Sequence, residues 1–371
     1  MSTPLAGIKV LEIAGLAPAP FAGMVLADFG ADVIRIDRST SSMNFDVLAR
    51  NKRSVAINLK SPAGIETLIR LVEKADVIIE PFRPGVMERL GLGPDVLLAK
   101  NPRLIYARMT GFGQQGHYSK MAGHDLNYLA ISGVLNTLGR DGERPAFPIN
   151  LLADFAGGGF LCAFGVLLAL HERTQSGKGQ VIDAAMIHGV KYLGSFIYNM
   201  HKSGAFFREP RGTGQLDGGA HYYDSYKTKD GKWMAVGAIE AEFYDLLIKG
   251  LGLDPVRDNL PRQTDAKEWP RMKELFTKLF AEKTQEEWVA IFDLTDACVT
   301  PVLDYYSMPP PAAAPSLSRT PALPVKAEQG PLDVGCHTTE VLLEAGLSKA
   351  EIQELVNKKA IAGSGLEKSS L

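Results

Sequence analysis

The first hundred residues alternate between short apolar runs and helical patterns, and this alternation restricts the chain to a few fold classes. Strands are predicted at residues 8–13, 33–36, 55–59, 77–80 and 104–109. Helices are predicted at 19–29 and 62–74, the second beginning with Pro62 after Ser61. Strands separated by helices of this length predict an α/β fold built on a parallel, Rossmann-like sheet.

A nicotinamide-binding domain is the obvious alternative for such a sheet, because Asp37 follows the second strand, near where these folds place a ribose-binding acid. The loop after the first strand argues against it. Residues 15–20 read GLAPAP, which lacks the G-x-G-x-x-G pattern and has two prolines where backbone N–H groups would face a pyrophosphate. The chain is therefore not expected to bind a dinucleotide.

Composition shifts and turn signals divide the chain into two domains. The predicted segments are a large domain at 1–200, a linker at 201–221, a small α/β domain at 222–303, a Pro- and Ala-rich connector at 304–324 and a C-terminal segment at 325–371. In the small domain, the Asp230-Gly231 pair predicts a hairpin, and Thr284 with Glu287 predicts a capping box at the start of a helix.

Charge and cysteine content narrow the classes of partner and compartment. The 40 Lys and Arg against 42 Asp and Glu give a net charge of −2, so nothing indicates nucleic acid or an anionic membrane as a partner. Cys162, Cys298 and Cys336 are odd in number and widely spaced, which favours a reducing compartment over a disulfide framework. They show no metal-ligand spacing, so no metal site is expected.

Neither a secretory signal nor a membrane span is expected. The N-terminus lacks a basic region followed by an apolar run. Residues 155–170 are apolar but fall short of the roughly 20 residues that a span needs, which favours a buried core helix. The last three residues, Ser369, Ser370 and Leu371, form a weak variant of the S-K-L peroxisomal address.

Two titratable side chains lie where helices are predicted to begin. Apolar residues recur at the helical period after His124, and an apolar run with a Gly-rich first turn follows Asp154. Helix N-termini expose unpaired N–H groups and a partial positive charge, which suits them to hold a carboxylate or an oxyanion. Asp is also a common N-cap and His is often structural, so residue type alone leaves both roles open.

Several motifs carry a resemblance to one family. They are GLAPAPFAGMVLADFGADVIRIDR at 15–38, NKRSVAINLK at 51–60, RLIYARMTGFGQ at 103–114, AGHDLNYLAISGVL at 122–135, NLLADFAGGG at 150–159, SGKGQVIDAAM at 176–186 and MAVGAIEAEFYDLLIKGLGL at 234–253. From about Leu5 to about Leu303, the chain resembles the family III CoA-transferase superfamily, in its racemase branch. The resemblance implies an isomerase that epimerises 2-methylacyl-CoA thioesters, with no cofactor beyond the CoA of the substrate.

The resemblance also implies an architecture and a location. The large domain is expected to be completed by the C-terminal segment, and long linkers are expected to interlock two subunits as a homodimer. C-terminal tails of this kind occur in the racemases, which implies peroxisomal import. The resemblance is also compatible with a mitochondrial location, and the protein is otherwise expected to be cytoplasmic.

Removing the weakly acidic α-proton of a thioester needs a base, a donor to the enolate oxygen and, for epimerisation, an acid on the opposite face. The resemblance assigns base and acid to His124 and Asp154, and it implies supporting roles for Glu240 and Arg89. Without it, Glu240 would be a helix N-terminal acid and Arg89 a surface ion-pair partner. The amides of residues 123–125 are the candidate enolate donors.

The phosphates of CoA require cationic groups, and basic residues lie next to two of the predicted strands. These are Arg38, Lys52, Arg53 and Lys60. The resemblance implies CoA contacts from Arg38, from Ile57, Asn58, Leu59 and Lys60, and from Gly123, His124, Asp125, Leu126, Asn127 and Tyr128.

Two other functions stay open. A CoA-transferase of the same superfamily would use Asp154 as a nucleophile and form a mixed anhydride with the acyl group. Such transferases typically lack a histidine at the position of His124. A non-catalytic acyl-CoA-binding protein would need the basic residues but neither proton-transfer group.

Overall fold

The predicted strands and helices of the N-terminal half all form in the structure, a computed structural model that describes residues 3–40, 46–204, 206–325, 332–363 and 366. The strands are β1 Lys9–Ile13, β2 Asp32–Arg38, β3 Lys52–Ile57, β4 Val77–Glu80, β5 Ile105–Thr110, β6 Val181–Ala185, β7 Tyr223–Lys227, β8 Trp233–Gly237, β9 Val299–Pro301 and β10 Ile361–Ala362. The α-helices are α1 Pro18–Asp28, α2 Pro62–Val72, α3 Val86–Arg89, α4 Pro94–Lys100, α5 Asp125–Ser132, α6 Leu161–Ser176, α7 Met186–Leu193, α8 Ser195–Ser203, α9 Ala241–Gly250, α10 Trp269–Phe280, α11 Gln285–Phe292, α12 Thr338–Glu344 and α13 Lys349–Asn357. A π-helix, Leu151–Phe160, runs directly into α6.

The larger of two units comprises Met1–Ser132, Pro148–Leu193 and Pro310–Leu371. Its sheet has the strand order β10-β3-β2-β1-β4-β5-β6, and all neighbouring strands are parallel except β10 and β3. This confirms the parallel, Rossmann-like fold. The strand order reverses between β1 and β4, and ligands of such sheets bind beyond the carboxyl ends of the strands at this point.

Two glycines allow the π-helix to lie against α7. A Cβ on Gly189 would lie 1.8 Å from the carbonyl oxygen of Gly157. Both residues therefore need hydrogen in place of a side chain, because any larger group would force the two helices apart. This contact fixes the segment that carries Asp154.

The π-helix and α6 form one segment, Leu151–Ser176, that is long and apolar enough to cross a membrane by length and composition. It contacts α1, α7 and the sheet along one side. At its end, buried Arg173 pairs with Asp76 at 2.8 Å. The other side exposes about half of several large side chains, namely Phe160, Phe164, Leu167 and Leu168. The expected buried core helix is therefore buried on one side only.

The smaller unit comprises Gly133–Phe147 and Gly194–Pro309 and has its own antiparallel sheet of β7, β8 and β9. The predicted hairpin joins β7 to β8, and the predicted Thr284 and Glu287 capping box begins α11. The segment 133–147, which the sequence places in the large domain, belongs here because Arg140 pairs with Asp224 of β7.

The segments predicted as linkers have little regular structure. The described residues of 206–221 form turns, and residues 308–325 contain neither helix nor strand. The C-terminal segment returns to the larger unit, where β10 pairs with β3. Ser369, Ser370 and Leu371 lie outside the described residues.

Candidate active site

A cavity of about 590 Å³ in the larger unit lies at the point where the strand order reverses. It is lined by the segments that follow β1, β2, β4 and β5, including Ala14–Pro18, Arg38, Pro81–Arg83 and Gly111–Phe112. The loop before α5 and the π-helix complete the wall, and through them both His124 and Asp154 line the cavity. The structure thus brings together the two residues predicted to move the proton.

The N-terminus of α5 holds His124 in place. The side-chain oxygen of Asn127 accepts a hydrogen bond from the backbone N–H of His124 at 3.0 Å. The His124 carbonyl accepts in turn from the N–H groups of Asn127 and Tyr128. Among the described residues, the N–H groups of Gly123 and Asp125 have no hydrogen-bond partner, which leaves them as free donors at this helix end.

Tyr128 of α5 holds the loop that precedes this helix. Its hydroxyl donates to the Gly123 carbonyl, and its ring packs edge-to-face on Phe112 with centroids 4.9 Å apart. Burial raises the pKa of Tyr128 to about 12, so the hydroxyl keeps its proton and stays a donor. Gly111 makes room for the ring, since a Cβ there would lie 2.2 Å from Tyr128 Cε1.

Asp154 lies in the first turn of the π-helix, near the predicted helix start. Its carboxyl group is half-buried, and burial is the main cause that raises its pKa above the ordinary aspartate value. The charge of Asp125 raises this pKa further, whereas a 3.2 Å hydrogen bond from Asn150 and the charge of His124 lower it. A raised pKa suits a carboxyl group that must both give and take a proton.

Asp125 was expected to contact CoA, but its side chain does not line the cavity. Its side chain is buried beneath the cavity-lining residues, with 4% of the residue exposed. Oδ2 accepts hydrogen bonds from the backbone N–H groups of Ala153 and Asp154, at 2.7 and 2.8 Å. The sequence reasoning missed this bridge between α5 and the π-helix.

A second cavity, of about 540 Å³, adjoins the first and shares Ala14, Arg38 and Phe82 with it. Five predicted CoA-binding residues line it together: Arg38, Ile57, Asn58, Leu59 and Lys60. Arg38 and Lys60 are exposed, and neither forms an ion pair within the described residues. Two cations are thus available beside a cavity that opens towards His124 and Asp154.

Lys52 and Arg53 do not contribute to this cavity, which corrects the prediction that they bind CoA. Lys52 is fully buried at its side chain, where Nζ pairs with Glu12 at 2.7 Å and donates to the Pro20 carbonyl. Arg53 is bound by carboxylates of Asp32, Glu340 and Glu344. Their charges are neutralised inside the protein, so neither is available to a phosphate.

Other predicted residues lie outside the two cavities. Leu126 and Asn127 are exposed on α5, and Arg89 is exposed at the end of α3. Glu240 lies in the smaller unit, at the residue before α9, so its support of the histidine stays a prediction. Arg83, by contrast, lines the first cavity and was missed, although its place three residues after β4 could have revealed it.

Comparison with known proteins agrees with the fold and shows the family. The family model for CoA-transferase family III matches residues 5–309. The chain is 52% identical to α-methylacyl-CoA racemase of Mus musculus and 51% identical to that of Homo sapiens, in each case over 98% of this chain and 99% of the relative. A CAIB/BAIF family protein from Brucella suis has the same fold, with a TM-score of 0.78 and 23% identity over 93% of this chain and all of that one. This chain is therefore a member of CoA-transferase family III.

Proposed function

We propose that this protein interconverts the R and S epimers of 2-methylacyl-CoA thioesters by moving the α-proton between His124 and Asp154. The observation that carries the proposal is that these two side chains, from the residue before α5 and from the π-helix, line one cavity at the switch point of the sheet. The racemase names of the mouse and human relatives support the same reaction.

The reaction needs one base and one acid in each direction. In one direction, the neutral His124 imidazole removes the α-proton, and the electron pair of the C–H bond moves to the thioester oxygen to give an enolate. The protonated Asp154 carboxyl group then donates a proton to the opposite face of the α-carbon. In the other direction the two residues exchange these tasks, so each must be able to hold either protonation state.

The enolate oxygen needs hydrogen-bond donors, and the N-terminus of α5 supplies the best candidates. The N–H of His124 already donates to Asn127. Of the three amides predicted to bind the enolate oxygen, those of Gly123 and Asp125 therefore stay as candidates. A helix N-terminus also carries partial positive charge, which stabilises a developing oxyanion. Arg83 adds a cation to the same cavity wall.

The CoA moiety is proposed to occupy the second cavity, with its phosphates near Arg38 and Lys60. Arg38 lines both cavities, so a thioester that extends from CoA would pass it on the way to His124. Planar guanidinium groups bind phosphate oxygens through two hydrogen bonds at once.

One experiment separates this function from its alternatives. The protein is incubated in deuterated buffer with a 2-methylacyl-CoA of defined configuration, without added metal, nicotinamide or pyridoxal phosphate. We expect deuterium at the α-carbon and an approach to equal amounts of the two epimers. Acyl transfer to an added carboxylic acid without α-exchange would instead identify a transferase, and binding without either reaction would identify an acyl-CoA binder. His171→Ala and Asp141→Ala, which change exposed residues without a predicted role, are the matched controls for His124→Ala and Asp154→Ala.

We further propose that the protein is a homodimer. The apolar side of the segment Leu151–Ser176, formed by Phe160, Phe164, Leu167 and Leu168, is exposed in a single chain and would be covered by a second copy. Sedimentation of the protein at micromolar concentration should give twice the mass of 40.2 kDa. A Phe164→Glu variant that stays dimeric would exclude this side as the contact.

A peroxisomal or mitochondrial location also stays a proposal, which rests on the Ser-Ser-Leu tail and the racemase resemblance. Fusing the last ten residues to a fluorescent protein tests the peroxisomal part. Diffuse fluorescence would show that the tail is not an import signal.

A further inference from the structure

The buried carboxylate of Asp125 connects the segments that carry the two proton-transfer residues. It follows His124 directly in the chain and accepts hydrogen bonds from the N–H groups of Ala153 and Asp154, at 2.7 and 2.8 Å. Both bonds are charge-assisted, and such bonds are shorter and stronger than those between neutral groups. One side chain therefore fixes the start of α5 to the first turn of the π-helix.

The position of this carboxylate is stabilised by its surroundings. It lies at the N-terminus of its own helix and accepts from the first turn of a second, and both helix ends favour a negative charge. Only Oδ2 accepts these bonds, while Oδ1 is buried without a hydrogen-bond partner among the described residues. Keeping a buried, half-satisfied carboxylate at this point has a free-energy cost that a merely structural contact would not require.

We infer that Asp125 is a positioning residue for the proton transfer: it holds the carboxyl group of Asp154 at a fixed separation from its own chain neighbour, His124. This inference rests on the proposed function, in which His124 and Asp154 act on the same α-carbon. Without the bridge, the first turn of the π-helix would be held to α5 by weaker packing contacts alone. Displacements of about 1 Å at a reacting group lower rates by about 100-fold.

The charge of Asp125 has a second effect on the same carboxyl group. Of the groups on the elements packed around Asp154, Asp125 raises its pKa and His124 lowers it, while burial is the largest cause of the raised value. The charge of Asp154 in turn raises the pKa of Tyr128 in α5, after the larger effect of burial. Removing the Asp125 charge alone should therefore lower the pKa of Asp154.

Two variants separate the bridge from the charge. Asp125→Asn keeps an oxygen that can accept from Ala153 and Asp154 but removes the charge. Asp125→Ala removes both. Asp254→Ala is the matched control, because Oδ1 of this exposed aspartate also accepts from two backbone N–H groups, those of Val256 and Arg257, in the smaller unit.

The measurements are kcat and KM for α-hydrogen exchange, the pH profile, and the hydrogen exchange of backbone amides in peptides spanning 150–160. For Asp125→Ala we expect kcat to fall by about 100-fold with KM within about threefold of wild type, and faster amide exchange at 153–154. Asp125→Asn should retain amide protection and most of kcat, with the acid limb of its profile moved to lower pH. Asp254→Ala should change none of these.

The inference is overturned if the wild-type enzyme is active and the Asp125→Ala variant keeps a kcat within about threefold of the wild-type value. It is also overturned if this variant keeps the amide protection at 153–154. If Asp125→Ala does not fold, the test relies on Asp125→Asn. The inference is contradicted if this variant loses amide protection at 153–154 while the acid limb of its pH profile stays at the wild-type pH. A wild-type protein that exchanges no α-hydrogen would instead refute the proposed function, and the amide measurement would still show whether the bridge exists.

Discussion

His124 and Asp154 line the same cavity, and the charge of His124 lowers a pKa of Asp154 that burial raises. The proton affinity of Asp154 therefore depends on the charge of His124. Coupling of this kind suits a pair that exchanges the tasks of base and acid in each turnover. It also makes the pair accessible to pH measurements.

The pH dependence of exchange should report the raised pKa of Asp154. As a base, Asp154 must be ionised, so exchange of the epimer that it deprotonates should fall as pH falls through a pKa above the ordinary aspartate value. Asn150→Ala removes a donor that favours the ionised form and should move this acid limb to higher pH. Asn357→Ala, at the exposed end of α13, is the control and should leave the limb unchanged. An Asn150→Ala profile shifted to lower pH would contradict the electrostatic account of the site.

Replacing Arg38 should weaken ligand binding, whereas replacing Lys52 should lower the stability of the protein. Arg38→Ala should weaken binding of an acyl-CoA by about 10- to 100-fold, because a charge-assisted contact of about 1.5 to 3 kcal/mol is lost. Binding of a dephospho-CoA thioester should be weakened less. Lys52→Ala should instead lower the free energy of unfolding by about 3 to 5 kcal/mol, because it leaves buried Glu12 with only the longer, 3.7 Å pair to Arg35. Calorimetric titration and urea unfolding of both variants check this, and equal losses for the two thioesters would remove Arg38 from the 3′-phosphate site.

The glycine contact beneath the site makes a prediction about packing. Gly189→Ala would place a Cβ 1.8 Å from the Gly157 carbonyl oxygen, so α7 and the π-helix must separate. We expect a loss of about 1 to 3 kcal/mol in urea unfolding, together with slower α-exchange. Gly165→Ala in α6 is the control, because its Cβ would meet only two methyl groups of Ile182, at 3.3 and 3.8 Å, and no backbone atom within 4 Å outside its own helix. A stable and fully active Gly189→Ala protein would show that the π-helix does not depend on this contact.

Much of the fold could be predicted because its signals are local. Apolar runs of five or six residues, Pro62 at a helix start and the Asp230-Gly231 turn each act within a few residues of the chain. The π-helix could not be predicted in this way. Gly157 of the π-helix contacts α7, which lies about 30 residues away in the chain, so the sequence near Gly157 does not show why a glycine is required. Helical periodicity also does not distinguish a π-helix from an α-helix.

The proton-transfer residues of the candidate site were predicted from the family resemblance, whereas residues whose role depends on distant partners were missed. His124 and Asp154 line one cavity as expected. Lys52 and Arg53 are basic in sequence, but the carboxylates that hydrogen-bond to them lie 21 to 291 residues away, at Asp32, Glu12 and Glu344 among others. For the same reason, the Asp125 bridge to a segment 28 residues later was invisible before the fold was known.

The assignment of two bases is tested most directly by following each epimer separately in single variants. In deuterated buffer, His124→Ala and Asp154→Ala should both lose net epimerisation, because each turnover needs a base on one face and an acid on the other. His124→Ala should still exchange the α-hydrogen of one epimer with retention of configuration, and Asp154→Ala that of the other epimer, each more slowly than wild type. If both variants exchange the same epimer only, or if either epimerises at close to the wild-type rate, a single base with a mobile enolate must replace the pair.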